Sequence, residues 1–111
     1  MRYFGAASPI LTVPRNVVDK VVIRHPTDLA ALTRLSELID RWAYAGLSPV
    51  HAERLEIYGI LDGIWYTAVL RLAGTKSDAN VLVTFHRQYA RKVLGRARQG
   101  RILRRDEIED D

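Results

Sequence analysis

Leu55-Glu56-Ile57-Tyr58-Gly59-Ile60-Leu61-Asp62-Gly63-Ile64-Trp65-Tyr66-Thr67-Ala68-Val69-Leu70-Arg71-Leu72 is the stretch on which the fold turns. Two runs rich in aromatic and β-branched residues flank an Asp-Gly pair, and Asp-Gly supplies the positive φ at both central positions that a type I′ hairpin turn requires. The stretch therefore predicts two antiparallel strands joined at Asp62-Gly63. Gly59, inside the first run, marks a bulge or a place where another element comes close to the backbone.

Downstream, residues 73–80 form a polar loop, and Val81 to His86 read as a third strand. Uninterrupted alternation would place Val81, Val83 and Phe85 on one face of it and Leu82, Thr84 and His86 on the other. A helix follows, with an apolar stripe of Ala90, Val93, Leu94 and Ala97, cations on its flanks and Gly100 at its end. Upstream, the β-branched run Val17, Val18, Val21, Val22 and Ile23 predicts a strand, stopped by Pro26. Thr27 or Asp28 then caps a helix whose Leu29, Leu32, Leu35, Leu38 or Ile39 and Trp42 recur at three- and four-residue intervals. Gly46 ends that helix, and Ser48-Pro49 opens a short second one carrying Val50, His51 and Arg54, so that the pair makes a helical hairpin. The expectation is an α+β fold of order β-α-α-β-β-β-α. Residues 1–16 form an irregular arm, 17–105 a single domain and 106–111 an acidic tail. Trp42, Trp65, Tyr58 and Tyr66 are expected in the core or at an interface.

At 111 residues the chain has room for one core and no separate cofactor-binding domain. It contains no cysteine, and its three histidines, His25, His51 and His86, are scattered, so neither a disulfide nor a metal site is expected, nor any cofactor. No apolar run approaches the roughly 20 residues needed to cross a bilayer, and the N-terminus lacks the layout of a secretory signal. The expected location is cytoplasmic, without a membrane partner.

Charge is the strongest functional signal. His86, Arg87, Arg91, Lys92, Arg96, Arg98, Arg101, Arg104 and Arg105 follow one another without an intervening carboxylate. Asp106, Glu107, Glu109, Asp110 and Asp111 come next, and removing that tail leaves 17 basic groups against 13 − 5 = 8 acidic ones, so the net charge rises from +4 to +9. Such clustering is the footprint of nucleic-acid binding, because each neutralised phosphate releases condensed counterions. The acidic tail is expected to fold back over the basic helix and compete with phosphate.

The element order, the Gly46 to Leu55 run Gly-Leu-Ser-Pro-Val-His-Ala-Glu-Arg-Leu, Asp62-Gly63-Ile64-Trp65 and Val81 to Arg87 together resemble the RelE/ParE superfamily of bacterial toxins, in its HigB-like branch. The resemblance spans about residues 17 to 98. It implies a small antiparallel sheet packed against an N-terminal helical hairpin, a basic concave face, cleavage of messenger RNA on the ribosome, and a cognate antitoxin protein as partner. His86 and Arg87 match the basic pair that the family carries after its last strand, and Tyr89 matches a tyrosine shortly beyond; His51 and Arg54 stand where the helix before the hairpin supplies basic groups. Where the family places arginines in the first hairpin strand and near the start of the second, this chain has Gly59 and Tyr66-Thr67.

RNA cleaves itself once its 2′-hydroxyl is deprotonated and aligned with the adjacent phosphate, so a ribonuclease needs a base, an acid and cations for the pentacoordinate oxyanion. Histidine suits proton transfer near neutrality, and the planar guanidinium suits phosphate oxygens. His86 is accordingly expected to transfer a proton, with His51 in the second such role, Arg87 to stabilise the phosphate and Tyr89 to stack on a base or order the leaving group. Arg54, Arg71, Arg91, Lys92, Arg96 and Arg98 are the expected phosphate contacts. Two other functions share the fold: a non-catalytic inhibitor of a host protein such as gyrase or RNA polymerase, and a plain nucleic-acid-binding module.

Overall fold

The computed structural model describes residues 11–74 and 79–109; the rest of the expected arm, part of the polar loop and the last two residues of the tail lie outside the described residues. The architecture is α+β. In chain order it runs β1 (Leu11–Thr12), α1 (Arg15–Arg24), a 3-10 turn (Pro26–Asp28), α2 (Leu29–Leu32), α3 (Leu35–Asp40), β2 (Tyr44–Leu47), β3 (Arg54–Leu61), β4 (Ile64–Arg71), β5 (Asn80–Arg87), α4 (Ala90–Arg98), β6 (Leu103–Arg104) and α5 (Arg105–Glu109). The strands form one sheet in the order β1-β5-β4-β3-β2-β6, antiparallel throughout except for β1 on β5.

The expected hairpin is present with the expected turn. β3 pairs with β4 from Arg54↔Arg71 to Leu61↔Ile64, and Asp62 and Gly63 take φ of 52° and 79°. Gly59 is a close approach, not a bulge: a Cβ there would lie 2.6 Å from Leu38 Cδ1 of α3. The bulge falls instead between β4 and β5, where Val69 pairs with Thr84 and Leu70 with Leu82, leaving Val83 as the extra residue. This corrects the simple alternation. Leu82 and Phe85 both turn into the core, at 0% and 1% exposure, while Thr84 and His86 share the opposite face.

Two further expectations fail at the N-terminal half. The valine-rich run is α1, not a strand, because Val17 and Val21 repeat at helical spacing and are both buried, with Asp19, Lys20 and Arg24 left exposed. Tertiary burial of one face outweighs the modest helix penalty of β-branched residues. The helical hairpin is also absent. Its first helix is broken at Thr33-Arg34 into α2 and α3, with the Thr33 hydroxyl donating to Ala30 O at 2.5 Å. Its second helix does not form: Ser48 Oγ accepts from the backbone N–H groups of Val50 and His51 in a local turn, and Tyr44–Leu47 instead pairs with β3 as β2. The Ser-Pro start signal is real, but it opens a turn whose next residues are claimed by the sheet.

The sheet separates two unequal layers. One face carries Leu55, Ile57, Leu61, Tyr66, Ala68, Leu70, Leu82 and Phe85 and packs against Val17 and Val21 of α1 and Leu32, Leu35 and Leu38 of α2 and α3. Ile108 of α5 joins the same layer, whereas Arg104, opposite Tyr44 on the face that α4 covers, pairs with Asp106 and Glu107. Of the acids expected to return over the basic helix, Glu107 lines a cleft with Leu94, Ala97 and Arg98 of α4. On the other face α4 covers only Tyr58 and Ile102, through Val93, with Tyr44, Trp65 and Ala97 at the margin.

Candidate nucleic-acid interface

Register defines the second face of the sheet. Tyr58, Thr67 and His86 are direct neighbours across β3, β4 and β5; two residues along lies the row Glu56, Val69 and Thr84, and two further the pair Arg54 and Arg71. Residues two apart on a strand share a face, so these groups look out from one surface. α4 shields Tyr58, and in the β4-β5 half Thr67 is buried while Val69, Arg71, Thr84 and His86 are half-buried.

At one end of this surface two imidazoles meet. His86 lies with its ring centroid 6.1 Å from that of His25, the residue that follows α1. Pro26 ends α1 at that point, and the helix runs along the edge of β5 because β1 pairs with β5 only at Asn80 and Val81. His86 Nδ1 sits 2.8 Å from the carbonyl oxygen of Arg87, which fixes Nδ1 as the protonated nitrogen and leaves Nε2 as the acceptor when the ring is neutral. A small cleft of about 90 Å³ opens beside the pair, between Lys20, Arg24 and His25 of the helix side and Thr84 of β5. The arrangement sets two imidazoles side by side, with His25, Lys20 and Arg24 lining the cleft and His86 adjoining it through His25.

The expected partners of His86 are placed differently. Arg87 turns to the core face, opposite Tyr66, where its Nε lies 3.5 Å from Asp28 Oδ1 and its backbone N–H donates to Asp28 Oδ2 at 3.1 Å. Asp28 is 3% exposed, so this contact ties the 3-10 turn to the end of β5. His51 precedes β3 at the other end of the sheet, within 4.0 Å of Glu53. The strand rise from Arg54 to Tyr58 alone is about 13 Å, so His51 and His86 do not form an acid-base pair.

The basic residues sort into three groups. Tyr89 is exposed at the start of α4, with Arg91 and Lys92 over its ring at 5.3 and 6.0 Å. Arg96 turns inward and donates to the Tyr58 hydroxyl at 2.7 Å, while that hydroxyl donates to Glu56 Oε1 at 3.0 Å. Arg101 closes this network with both Glu56 oxygens, at 3.1 and 2.8 Å. Burial first, and then the Glu56 carboxylate, pushes the Tyr58 phenol up to about 12 against the opposing pull of Arg96. Arg98 lies at a cleft of about 250 Å³ floored by Tyr44, Leu94, Ala97 and Ile102, with Arg104 and Glu107 also at its wall. That cleft is larger than the one beside the histidines, but it offers no imidazole.

His25, Lys20 and Arg24 are not among the residues the sequence points to, because the valine run has strand propensity. The available signal was Lys20 and Arg24 at i, i+4, in phase with Val17 and Val21. Nor does the sequence point to Glu56 as the anchor of Arg101, since the two are 45 residues apart. Among the described residues no group of three His, Cys, Asp or Glu side chains converges as a metal site, and no helix is long and apolar enough to cross a membrane. Compared with protein-family models, with curated proteins and with solved structures, the chain matches none.

Proposed function

We propose that this protein is a toxin that cleaves single-stranded RNA without a metal, by attack of the 2′-hydroxyl on the adjacent phosphate. The observation that carries the reading is the His25–His86 pair, with ring centroids 6.1 Å apart on a strongly basic molecule. An in-line transesterification needs one group to take the 2′-hydroxyl proton and a second to protonate the departing 5′-oxygen, each within about 2.6–3.2 Å of its oxygen. Two neighbouring imidazoles supply the two groups that this demand names. His86 Nε2 serves as the base, His25 as the acid, and Arg24 and Lys20 as the cations nearest the developing oxyanion. Arg87 keeps a supporting part through Asp28. The exposed group of Tyr89, Arg91 and Lys92 extends the cationic track along which the strand runs, and Tyr89 offers a ring for stacking. In this reading the protein acts on messenger RNA in the cytoplasm, with the ribosome presenting the substrate and an antitoxin holding the activity in check.

The experiment is cleavage of a labelled single-stranded RNA by the purified protein in chelator, with and without translating ribosomes, followed by analysis of product ends. Products ending in a 2′,3′-cyclic phosphate are expected, and a 2′-deoxy substitution at the cut site should block the reaction. His25→Ala and His86→Ala should each lower the rate by about 10²–10⁴-fold. A plain nucleic-acid-binding module would retain RNA affinity and cleave nothing. Cleavage at the wild-type rate in both single variants would refute the assignment.

A further inference from the structure

We infer that Arg54 and Arg71 form a clamp for one backbone phosphate of the bound RNA, at the end of the second sheet face remote from the two histidines. The two arginines are direct cross-strand partners at the last rung of the β3–β4 ladder. Side chains so placed have Cβ atoms about 4.5–5.5 Å apart, and like charges in that relation repel. An ordinary sheet would set a carboxylate nearby. Among the described residues the one acid on this face near them, Glu56, is already committed to Arg101 and to the Tyr58 hydroxyl. Neither Arg54 nor Arg71 has an ion pair or side-chain hydrogen bond to a described residue, and Arg54 Nε is buried without a hydrogen-bond partner. Both are half-buried, so water satisfies them only in part. Two adjacent guanidinium groups without a counter-charge among the described residues match the tetrahedral oxygens of a phosphodiester, which each fork can grip by two parallel hydrogen bonds.

Position gives the clamp a substrate. From Arg71 to Thr67, the neighbour of His86, is four residues along β4, a rise of about 13 Å. A strand whose scissile phosphate sits between the histidines therefore runs over the half-buried Val69 and Thr84, beside the buried Thr67 and Glu56, before a later phosphate reaches the arginines. The clamp requires a substrate several nucleotides long and holds it at a point distant from the bond being broken. The identity of the ligand as RNA rests on the proposed function; the anion chemistry does not.

The test uses binding, so that cleavage plays no part in the readout. Wild-type protein, Arg54→Gln, Arg71→Gln and the double variant are titrated with a short 2′-O-methyl RNA, which cannot undergo 2′-hydroxyl attack, over a range of salt concentrations. The double variant should bind about tenfold more weakly, and the slope of log affinity against log salt should shrink by about 0.7, the value for one phosphate contact on a single strand. Its melting temperature should equal or exceed that of the wild type, because repulsion is removed. The same loss and the same change of slope should appear when Arg54→Gln and Arg71→Gln are added to a His86→Ala background, which separates the clamp from the nuclease. Unchanged affinity and salt slope in the double variant would overturn the clamp, even if histidine-dependent cleavage persists. A fall in melting temperature that accounts for the lost binding would show that the pair is structural and overturn it equally. Wild-type stabilisation by inorganic phosphate, absent in the double variant and unaccompanied by oligomer binding, would assign the pair to a free anion and overturn the RNA assignment.

Discussion

Replacing Tyr58 with Phe tests the polar network beneath α4, because the substitution removes one oxygen and leaves the ring. The hydroxyl accepts from Arg96 and donates to Glu56, and the residue is 0% exposed. Hydrogen bonds to charged partners are worth about 1.5–3 kcal/mol each. Glu56 keeps Arg101, and Arg96 keeps its position over the ring at 5.7 Å, so the loss at pH 7 should fall near the lower end, about 3 kcal/mol for the two bonds together. The same structure sets how this gap changes with pH. The folded phenol titrates at about 12 against 10 for the free group, so the folded state holds the proton more tightly. Its contribution is complete below pH 10 and is lost as pH rises toward 12. At pH 11 the unfolded phenol is mostly ionised and the folded one mostly neutral, and the wild type has lost about 1.4 kcal/mol through this group. The Phe variant has no such group, and lysine titration is common to both proteins. The gap should therefore narrow from about 3 to about 1.6 kcal/mol between pH 7 and pH 11. Urea unfolding followed by fluorescence of the buried Trp42 measures both values, with a midpoint shift of roughly 1–2 M expected at pH 7. A gap that stays constant over this pH range would refute the description of Tyr58 as a buried phenol whose ionisation burial and Glu56 oppose.

Two other substitutions examine how the site is held. Asp28→Ala should cost about 1–3 kcal/mol, because it leaves the Arg87 N–H and guanidinium without their buried acceptor, and it should slow cleavage by loosening the end of β5 that carries His86; equal stability in urea would count against the tie. Gly59→Ala should cost about 1–3 kcal/mol by driving a methyl into Leu38, and Leu38→Ala should relieve part of that cost in the double variant; strict additivity of the two would show that they do not touch.

Legibility in the sequence followed the range of the interaction. The β3–β4 hairpin was readable because Asp62-Gly63 and the flanking apolar runs are local, and α4 was readable because its stripe and terminus lie within one segment. α1 was not, since a run of valines satisfies strand propensity and helical burial alike, and only the neighbouring sheet decides between them. β2 was hidden by a valid turn signal at Ser48-Pro49, and no local rule reveals that Tyr44–Leu47 will be recruited by a strand on one side and β6 on the other. The same limit governs the site. His86 and the Arg54 and Arg71 pair could be named from the sequence, but His25 reaches His86 only through the path of α1 along β5, and Arg87 leaves the group because alternation sends it to the other face.

The outward position of His86 turns on a single inserted residue. Without the bulge at Val83, alternation along β5 would put Leu82 on the same side as His86 and Phe85 on the other. The core would then have to give up one of two side chains that are now 0% and 1% exposed, or else bury an imidazole beside them. Each large apolar side chain left in water forfeits about 1.5–3 kcal/mol, enough to make the regular strand the poorer solution. Absorbing Val83 lets Leu82 and Phe85 both face α1 to α3 while Thr84 and His86 face outward beside His25. The position of the imidazole is thus a consequence of packing two hydrophobic residues an odd number of places apart. The packing of the core determines which residues the second face can present to a ligand.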